Sequence, residues 1–274
     1  MDDTATVARR EYQALDPLSV RIQTHRRYSE RDHDIEAAVD RAVGLPASAA
    51  LLDIGPGTGT YLRRLAERGH RGRLVGLDIS AAVLAGLGTV PGVRAVLGDA
   101  AALPLRDGCF DVVTARHMLY HVADPLAAIR HARRVLHSGG TFAAVVNVED
   151  NLPVTRELIR GVLAAHGLDA RAHAHRVHGG NLPAMVREVF GEVRVHRQDN
   201  ALVFPSAEPV VAYALSCLTL YGVRPEHYAR AAVESDLAVG ARALFAQRTP
   251  GGRDQTGQPV LRDPKGYVIV TARA

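Results

Sequence analysis

Apolar residues in the first half of this chain form short runs that alternate with stretches of helical spacing. The runs predict five strands, at 50–54, 73–78, 93–97, 109–115 and 141–147. The stretches between and before them predict helices at 30–43, 58–68, 80–88 and 124–136. Near-continuous apolar strands that alternate with helices are typical of a parallel sheet covered on both faces. We therefore expect an α/β fold with a doubly wound, Rossmann-like sheet.

Beyond residue 148 the alternation loosens. Helices are predicted at 152–166, 182–190, from Pro205 to about 220 and from Pro225 to about 247, and strands at 192–198 and 267–270, with a short apolar run at 201–204. The two late strands would complete a seven-stranded sheet. The late helices do not fit the layers of that sheet, so we expect them to form a helical cap over its carboxyl edge.

Composition narrows the class of protein. A chain of 274 residues with 47% hydrophobic content can bury one sizeable core. The net charge of +4 comes from arginine, since Lys265 is the only lysine, and the arginines lie in pairs on predicted helix faces. We interpret these faces as solvated and expect neither nucleic acid nor a membrane as a partner. Two distant cysteines and an acidic N-terminus without an apolar segment indicate a cytoplasmic protein.

A turn with three alternate glycines, Gly55, Gly57 and Gly59, joins the first predicted strand to a helix. Glycine permits positive φ and lets a ligand lie against the main chain. Asp78, at the end of the second strand, is placed to accept hydrogen bonds from a ribose diol. A carboxylate at Asp53, beneath the turn, would repel the pyrophosphate of a dinucleotide but favour a cationic ligand.

Six segments in this order resemble the class I S-adenosylmethionine-dependent methyltransferases, specifically the bacterial small-molecule group akin to the ubiquinone-biosynthesis enzymes. The segments are 52–59, 75–80, 98–105, 110–113, 118–125 and 134–140. Each motif is weak alone, and their joint order and spacing carry the resemblance. The resemblance implies S-adenosylmethionine as cofactor and methyl transfer to an oxygen, nitrogen or carbon atom of a small molecule.

The resemblance also implies a role for each matching residue. The cofactor-binding set is Arg27, Tyr28, Asp53, Gly55, Pro56, Gly57, Thr58, Gly59, Asp78, Ile79, Gly98, Asp99, Ala100 and Arg116. Within it, the glycine turn would pass under the methionine and ribose, Asp78 would hold the ribose, and Asp99 the adenine amino group. Asp53 and Arg116 would lie at the methionine portion, with Arg27 and Tyr28 as lid residues.

We expect the parts of the chain to form one domain with a cap. They are N-terminal lid helices at 1–29, a cofactor-binding core at 30–148, a cap insertion at 149–180, more core at 181–204, a helical cap insertion at 205–250, and a loop with the final strand at 251–274. A pattern at Ser29 and Asp32 predicts the cap of the first core helix.

Two histidines in the loop after the fourth strand, His121 and then His117, are candidate general bases, because an imidazole titrates near neutral pH. Tyr28 is a third candidate catalytic residue. The alternative is that one of the histidines caps the helix near Asp124 or packs against the loop. A base is needed only for an acceptor that carries a proton; otherwise catalysis is mainly positioning.

Tyrosines outside the sheet suggest the acceptor. Tyr120, Tyr213 and Tyr221, with His121, are predicted to line a pocket for a flat aromatic or heteroaromatic natural product. The alternative is that these tyrosines only pack the cap, with their hydroxyls in solvent. We expect no metal, because His173, His175 and His178 lack acidic or cysteine ligands nearby.

Three other functions stay open on the sequence. An RNA methyltransferase is compatible with the basic charge, although 116–119 lacks the turn that grips an exocyclic amine. A non-catalytic scaffold that binds the cofactor is compatible with the same motifs. A nicotinamide oxidoreductase is disfavoured by Asp53 and Asp99. The acceptor atom and a homodimeric state do not follow from these residues.

Overall fold

The fold is a single mixed sheet with helices on both faces. It is seen in a computed structural model that describes residues 16–168, 176–223, 229–248, 258 and 260–274. The strands are β1 Leu51–Ile54, β2 Leu74–Asp78, β3 Val93–Leu97, β4 Phe110–Arg116, β5 Leu136–Asn147, β6 Arg194–Phe204 and β7 Leu261–Arg273. Their order is β3-β2-β1-β4-β5-β7-β6. The predicted seven-stranded, Rossmann-like α/β sheet is confirmed.

Strands β1 to β5 run parallel, whereas β7 lies antiparallel between β5 and β6. The outer half of β7 extends past β5, since Tyr267 pairs with Asn147 at the end of that strand. It continues to pair with β6 as far as Leu261 opposite Phe204. Thus β6 and β7 are longer than the short runs in the sequence predicted, because each completes the other's hydrogen bonds.

The helices described are α1 Asp16–Tyr28, α2 Ile35–Val43, α3 Thr60–Glu67, α4 Ala81–Leu87, α5 Pro125–Val135, α6 Pro153–Ala165, α7 Leu182–Phe190, α8 Ala207–Cys217 and α9 Arg230–Arg248. The predicted cap of α2 at Ser29 and Asp32 is wrong. Asp34 caps it, with Oδ1 2.8 Å from the amide of Ala37. Ser29 instead forms an isolated bridge with Leu202 of β6.

The core lies on both faces of the sheet. On one face α5 and α7 pack against the strands through Ile129 and Val186. On the other face Val39 of α2 packs against Val145 and Ile269. These side chains are almost fully buried. Burial on both faces explains why the parallel strands read as continuous apolar runs in the sequence.

The helices α1, α6, α8 and α9 gather at the end of the sheet where β6 and β7 emerge. Their apolar side chains form a separate cluster with Phe204 and Leu261. Asp263 of β7 ties this cap to the sheet, because its carboxylate accepts hydrogen bonds from the amides of Val154 and Thr155 at 3.0 and 2.8 Å. It thereby satisfies two free amides at the start of α6. The cap therefore packs beside the carboxyl edge of the parallel strands.

Candidate active site

The glycine turn after β1 is an open cradle. Gly55, Gly57 and Gly59 all have positive φ, at 65°, 57° and 74°. A Cβ on Gly55 would lie 2.7 Å from the Cβ of Met118, whereas a Cβ on Gly57 would meet nothing within 4 Å. Gly55 is therefore needed to close the turn against the loop after β4. Gly57 leaves its main chain free for a ligand.

Two further residues of the turn have packing roles. Pro56 is buried beneath the turn, close to Gly76 of β2. The hydroxyl of Thr58 is exposed and lies 2.8 Å from that of Thr60, where α3 begins. Gly59 precedes the helix without any side-chain cap. The free amides of this helix start therefore face the same edge of the sheet as the cradle.

Asp53 and Arg116 form a buried ion pair under the turn. The side chain of Asp53 is fully buried, and its two oxygens accept from Arg116 Nη2 at 2.7 Å and Nε at 3.3 Å. Thr114 Oγ1 donates a third hydrogen bond at 2.7 Å. The guanidinium also lies 4.3 Å from the ring centre of Tyr61. Asp53 thus fixes Arg116, and the contact predicted between Asp53 and a cofactor ammonium stays a prediction.

Asp78 and Asp99 end the two strands next to β1. Asp78 Oδ1 accepts from the amide of Ser80 at 2.8 Å. Burial raises the pKa of Asp78, the nearby charge of Asp53 adds to the rise, and the amides of Ser80 and Ile79 oppose it. In the described part of the chain no basic side chain forms an ion pair with it. Its carboxyl is therefore available to hydroxyl donors of a ligand.

Asp99 is exposed and begins a short turn of helix at Ala100–Ala102, with Oδ1 2.8 Å from the amide of Ala101. Ala100 is buried behind it. Gly98 permits close contact with Pro104, whose Cδ would lie 2.8 Å from an added Cβ. The structure therefore brings together, at the ends of β1, β2, β3 and β4, the predicted glycine turn, Asp78, Asp99 and Arg116.

His117 and His121 both lie in the loop after β4, as predicted. His117 has a positive φ of 51°, and its amide donates to Val145 of β5 at 2.8 Å. Burial, with the charges of Arg116, His33 and Lys265, lowers the pKa of His117 to about 4. His121 is half-buried, with its ring 4.6 Å from that of Tyr120.

Neither histidine caps the following helix. Asp124 caps α5, and its Oδ1 accepts from the amide of Ala127 at 2.9 Å. The alternative explanation for His117 and His121 as helix caps is therefore wrong. The catalytic roles of the two histidines stay predictions. Both residues lie in the segment between β4 and α5.

The predicted lid residues lie elsewhere. The ring of Tyr28, at the end of α1, packs 5.5 Å from that of Phe204, and the guanidinium of Arg27 lies 5.5 Å from the Tyr28 ring. Phe204 ends β6, which is four strands from β1, roughly 19 Å at the usual strand spacing. The structure therefore does not bring Arg27 and Tyr28 to the glycine turn.

The tyrosines predicted to bind substrate divide into two groups. Tyr120 is half-buried in the loop after β4. Tyr213 and Tyr221 are 6% and 7% exposed and pack within the cap, so their hydroxyls do not point freely into solvent. The hydroxyl of Tyr213 lies 3.3 Å from Nε2 of His25, which is on α1.

Sequence reasoning missed a cluster of polar side chains around Lys265. The Lys265 ammonium donates to Ser29 Oγ at 2.6 Å and to Nδ1 of His25 at 2.9 Å, and the ring of His33 stacks on Tyr267 nearby. Two signals could have found it. Lys265 is the one lysine among 33 basic residues, and His25 and Ser29 are four apart at a helix end.

The structure describes only one of the three histidines on which the prediction about a metal site rests. His173 and His175 lie outside the described residues, and His178 contacts Glu149 at 3.8 Å. Among the side chains that are described, no group of three or more could hold a metal ion. Likewise, no helix in the described ranges is long and apolar enough to cross a bilayer.

Residues 52–144 match the methyltransferase domain family. This segment contains the cradle, both carboxylates, Arg116 and the two histidines. The chain carries a class I S-adenosylmethionine-dependent methyltransferase domain. It is 40% identical over 114 residues to the demethylmenaquinone methyltransferase of Roseiflexus castenholzii, across 40% of this chain and 48% of that one. It is 31% identical to the demethylmenaquinone methyltransferase of Staphylococcus aureus, across 44% of this chain and 52% of that one. The matches thus span about half of each relative.

Solved structures share the whole architecture of the domain. An S-adenosylmethionine-dependent methyltransferase from Thermotoga maritima aligns over 98% of this chain and 99% of its own, with a TM-score of 0.55 and 16% identity. A protein of an antibiotic biosynthesis pathway from Anabaena variabilis aligns over 88% of this chain and 96% of its own, with a TM-score of 0.57 and 18% identity. The cyclase SpnF aligns over 97% of this chain and 94% of its own, with a TM-score of 0.57 and 20% identity. At these identities the likeness establishes the fold.

The domain family and the fold imply S-adenosylmethionine as the cofactor, and the site of the domain fits it. The open main chain at Gly57 provides room for the ligand, and the carboxyl groups of Asp78 and Asp99 offer acceptors for its hydroxyl and amino groups. The guanidinium of Arg116 is held beneath the turn by Asp53 and lies 3.8 Å from Glu36. Arg27 and Tyr28, as placed, are not part of this set.

Proposed function

We propose that this protein transfers the methyl group of S-adenosylmethionine to a small, aromatic or heteroaromatic acceptor. One observation carries the proposal: in the matched segment an open cradle at Gly57 lies beside the carboxyl of Asp78, which forms no ion pair within the described ranges, and the two follow neighbouring strands. When bound, S-adenosylmethionine supplies a methyl group that is already activated for transfer. The protein then has to hold the acceptor in line, which can supply up to ~7–11 kcal/mol of the barrier.

Acceptors that carry a proton also need a base, and we assign this role first to His121. His117 is a poor base at neutral pH, because its pKa of about 4 gives it little affinity for a proton. A substitution of His121→Gln should lower kcat by about 10²–10⁴ without changing cofactor affinity. An acceptor without a titratable proton should be methylated at the same rate by both proteins.

The aromatic nature of the acceptor is inferred from the cap and the relatives. Tyr213, Phe204 and Tyr28 pack together at the end of β6, next to the carboxyl edge. Ring faces of this kind favour flat apolar ligands. The demethylmenaquinone methyltransferases, which match this chain over about half of their length, agree with such an acceptor. We extend this to a natural product, since a fold neighbour comes from an antibiotic pathway.

Because a cyclase also has this fold, the reaction itself needs a direct assay. The first experiment is calorimetric titration with S-adenosylhomocysteine. We expect micromolar binding, weakened at least about tenfold by Asp78→Ala through loss of charge-assisted hydrogen bonds. Asp150→Ala, which removes an exposed carboxylate, is the matched control and should bind normally. Failure of the wild type to bind would overturn the proposal.

The second experiment follows methyl transfer itself. Purified protein is incubated with labelled S-adenosylmethionine and, in separate reactions, phenols, indoles, amines, demethylmenaquinone or total RNA. Label in a small molecule supports the proposal, whereas label in RNA alone replaces it with the RNA methyltransferase alternative. Tight cofactor binding without label in any reaction favours the scaffold alternative.

A further inference from the structure

Among the residues that the structure describes, Lys265 is a buried cation without an acidic partner. The residue is 6% exposed, and its ammonium donates to Ser29 Oγ and to Nδ1 of His25. Ser29 in turn donates to the carbonyl of His25. An ammonium has three donors, so one donor of Lys265 has no partner within the described ranges. Burial lowers its pKa to about 8, and no nearby carboxylate raises it.

The groups that face Lys265 do not neutralise it. The pKa values of His25, His33 and His117 are all lowered, chiefly by burial, and the charge of Lys265 contributes to each shift. Arg21, from α1, adds a further positive charge beside His25. The nearest acids are engaged with other groups: Asp263 accepts from the amides of Val154 and Thr155, and Asp34 accepts from the amide of Ala37 and pairs with Arg64.

An uncompensated buried charge costs several kcal/mol, so its retention indicates a ligand of opposite charge. The surroundings match an anion that is partly apolar. Tyr213 closes one side of the cluster through its contact with His25, and Tyr267 closes another through its stacking on His33. A single ammonium with neutral imidazoles suits one anionic oxygen group better than a phosphate, which favours several cationic donors.

The cluster lies on the acceptor side of the domain. Lys265 pairs with Asn200 and stands two residues beyond Tyr267, which pairs with the last residue of β5. It therefore projects past the carboxyl edge of the parallel strands. From β4, whose exit carries His117, β7 is two strands away, about 10 Å. From the glycine turn of β1 it is three strands away, roughly 14 Å.

From this arrangement we infer that Lys265 binds an anionic oxygen of the methyl acceptor, in a carboxylate or an ionised phenol, and so orients the rest of the acceptor toward His117 and the end of β4. The inference rests on the proposed function and specifies its substrate class. It assigns Lys265 to acceptor recognition, with His25 and Ser29 holding the ammonium in place.

The test uses the fact that the chain has one lysine. Protein grown with ¹³C-labelled lysine gives one side-chain Cε signal, whose shift with pH reports the pKa of Lys265 alone. The protein, loaded with S-adenosylhomocysteine, is titrated with benzoate, with 4-nitrophenol above its own pKa, and with benzamide as the neutral control. A bound anion should raise the pKa by about one unit or more, equivalent to tenfold tighter binding to the charged lysine. Benzamide should leave it unchanged.

A variant pair makes the test specific. Lys265→Met should lose at least about tenfold in affinity for the responding anion and keep its affinity for S-adenosylhomocysteine. Arg273→Gln removes an exposed charge at the other end of β7 and should change neither. A response to benzoate alone, or to the phenolate alone, identifies the anion.

No change of the lysine pKa with either anion at saturation, or equal affinity in Lys265→Met, would overturn the inference. S-adenosylhomocysteine binding on the same samples separates this failure from that of the proposed function. If that cofactor product does not bind, the proposed function fails, and the lysine titration is still read on the protein alone.

Discussion

Arg116 grips Asp53 from the neighbouring strand, with Nη2 2.7 Å from one carboxylate oxygen and Nε 3.3 Å from the other. The two residues lie on β4 and β1, and Asp53 stands opposite Thr114 in the register. The pair fixes the orientation of the Arg116 guanidinium at the end of β4. Its fully buried carboxylate makes the arrangement sensitive to loss of either partner.

We expect Asp53→Ala to lower the free energy of unfolding by about 3–5 kcal/mol, because it leaves the buried guanidinium of Arg116 with only the longer ion pair to Glu36, at 3.8 Å. Chemical denaturation measures this. Glu188→Ala breaks an ion pair with Arg130 in which both side chains are 57% exposed, and it should cost less than about 1 kcal/mol. Similar losses in the two variants would show that the pair at β1 and β4 is not a buried one.

Gly57→Ala tests the cradle. Its φ of 57° and the open space around it are matched by Gly44, with φ 58°, which ends α2. Both alanine variants should lose roughly 1–2 kcal/mol of folding stability from left-handed strain. Only Gly57→Ala should also weaken S-adenosylhomocysteine binding, by about tenfold or more, because its methyl group occupies the ligand space. Equal affinities in the two variants would place the ligand away from Gly57.

Lys265 should make stability depend on alkaline pH. Its pKa is lowered from 10.5 unfolded to about 8 folded, so the unfolded chain binds more protons between these values. Stability from this group therefore rises as pH increases from about 8 to 10.5, by on the order of 3 kcal/mol. At pH 7 the free energy of unfolding of Lys265→Met should exceed that of the wild type, and denaturant titrations should show this difference shrinking between pH 8 and 10.5. A constant difference would mean that the ammonium is solvated.

His117 should contribute to acid sensitivity. Its pKa falls from 6.5 to about 4 on folding, so the stability it contributes is present above 6.5 and lost as pH falls toward 4. His117→Asn removes this titration and tolerates the positive φ of 51°. The variant should therefore lose less stability than wild type between pH 6.5 and 4 in denaturant titrations. His25 titrates in both proteins and cancels in the comparison.

The cofactor half of the domain could be predicted because its signals are local. The glycines, Asp78 and Asp99 each follow an apolar run within a few residues, and the order of the runs fixes which strand ends meet. The predicted cap of α2 was wrong because four acidic or hydroxyl residues precede the helix. The sequence does not show which of them accepts a hydrogen bond from a free amide.

The cluster around Lys265 could not be predicted, since its contacts join residues that are distant in sequence. Lys265 meets His25 and Ser29 across more than 200 residues, and only the pairing of β6 with β7 brings them together. Pro264 and Lys265 also interrupt the apolar run, which hides the outer half of β7. Tyr28 looked like a cofactor lid from its position before the core, but its ring packs on Phe204.

The 13 residues of β7 fix the distance between the sheet and Lys265. One end of the strand is locked into the sheet beside β5, and the other carries Lys265 beyond the edge. With Lys265 in its inferred role, the distance that an acceptor spans from the lysine to the end of β4 is set by the backbone of a strand and not by a loop. Position 263, the next position on the same face of β7, holds Asp263, whose carboxylate accepts hydrogen bonds from the amides of Val154 and Thr155. The lysine therefore has a fixed place along the strand, because moving it there would release the start of α6.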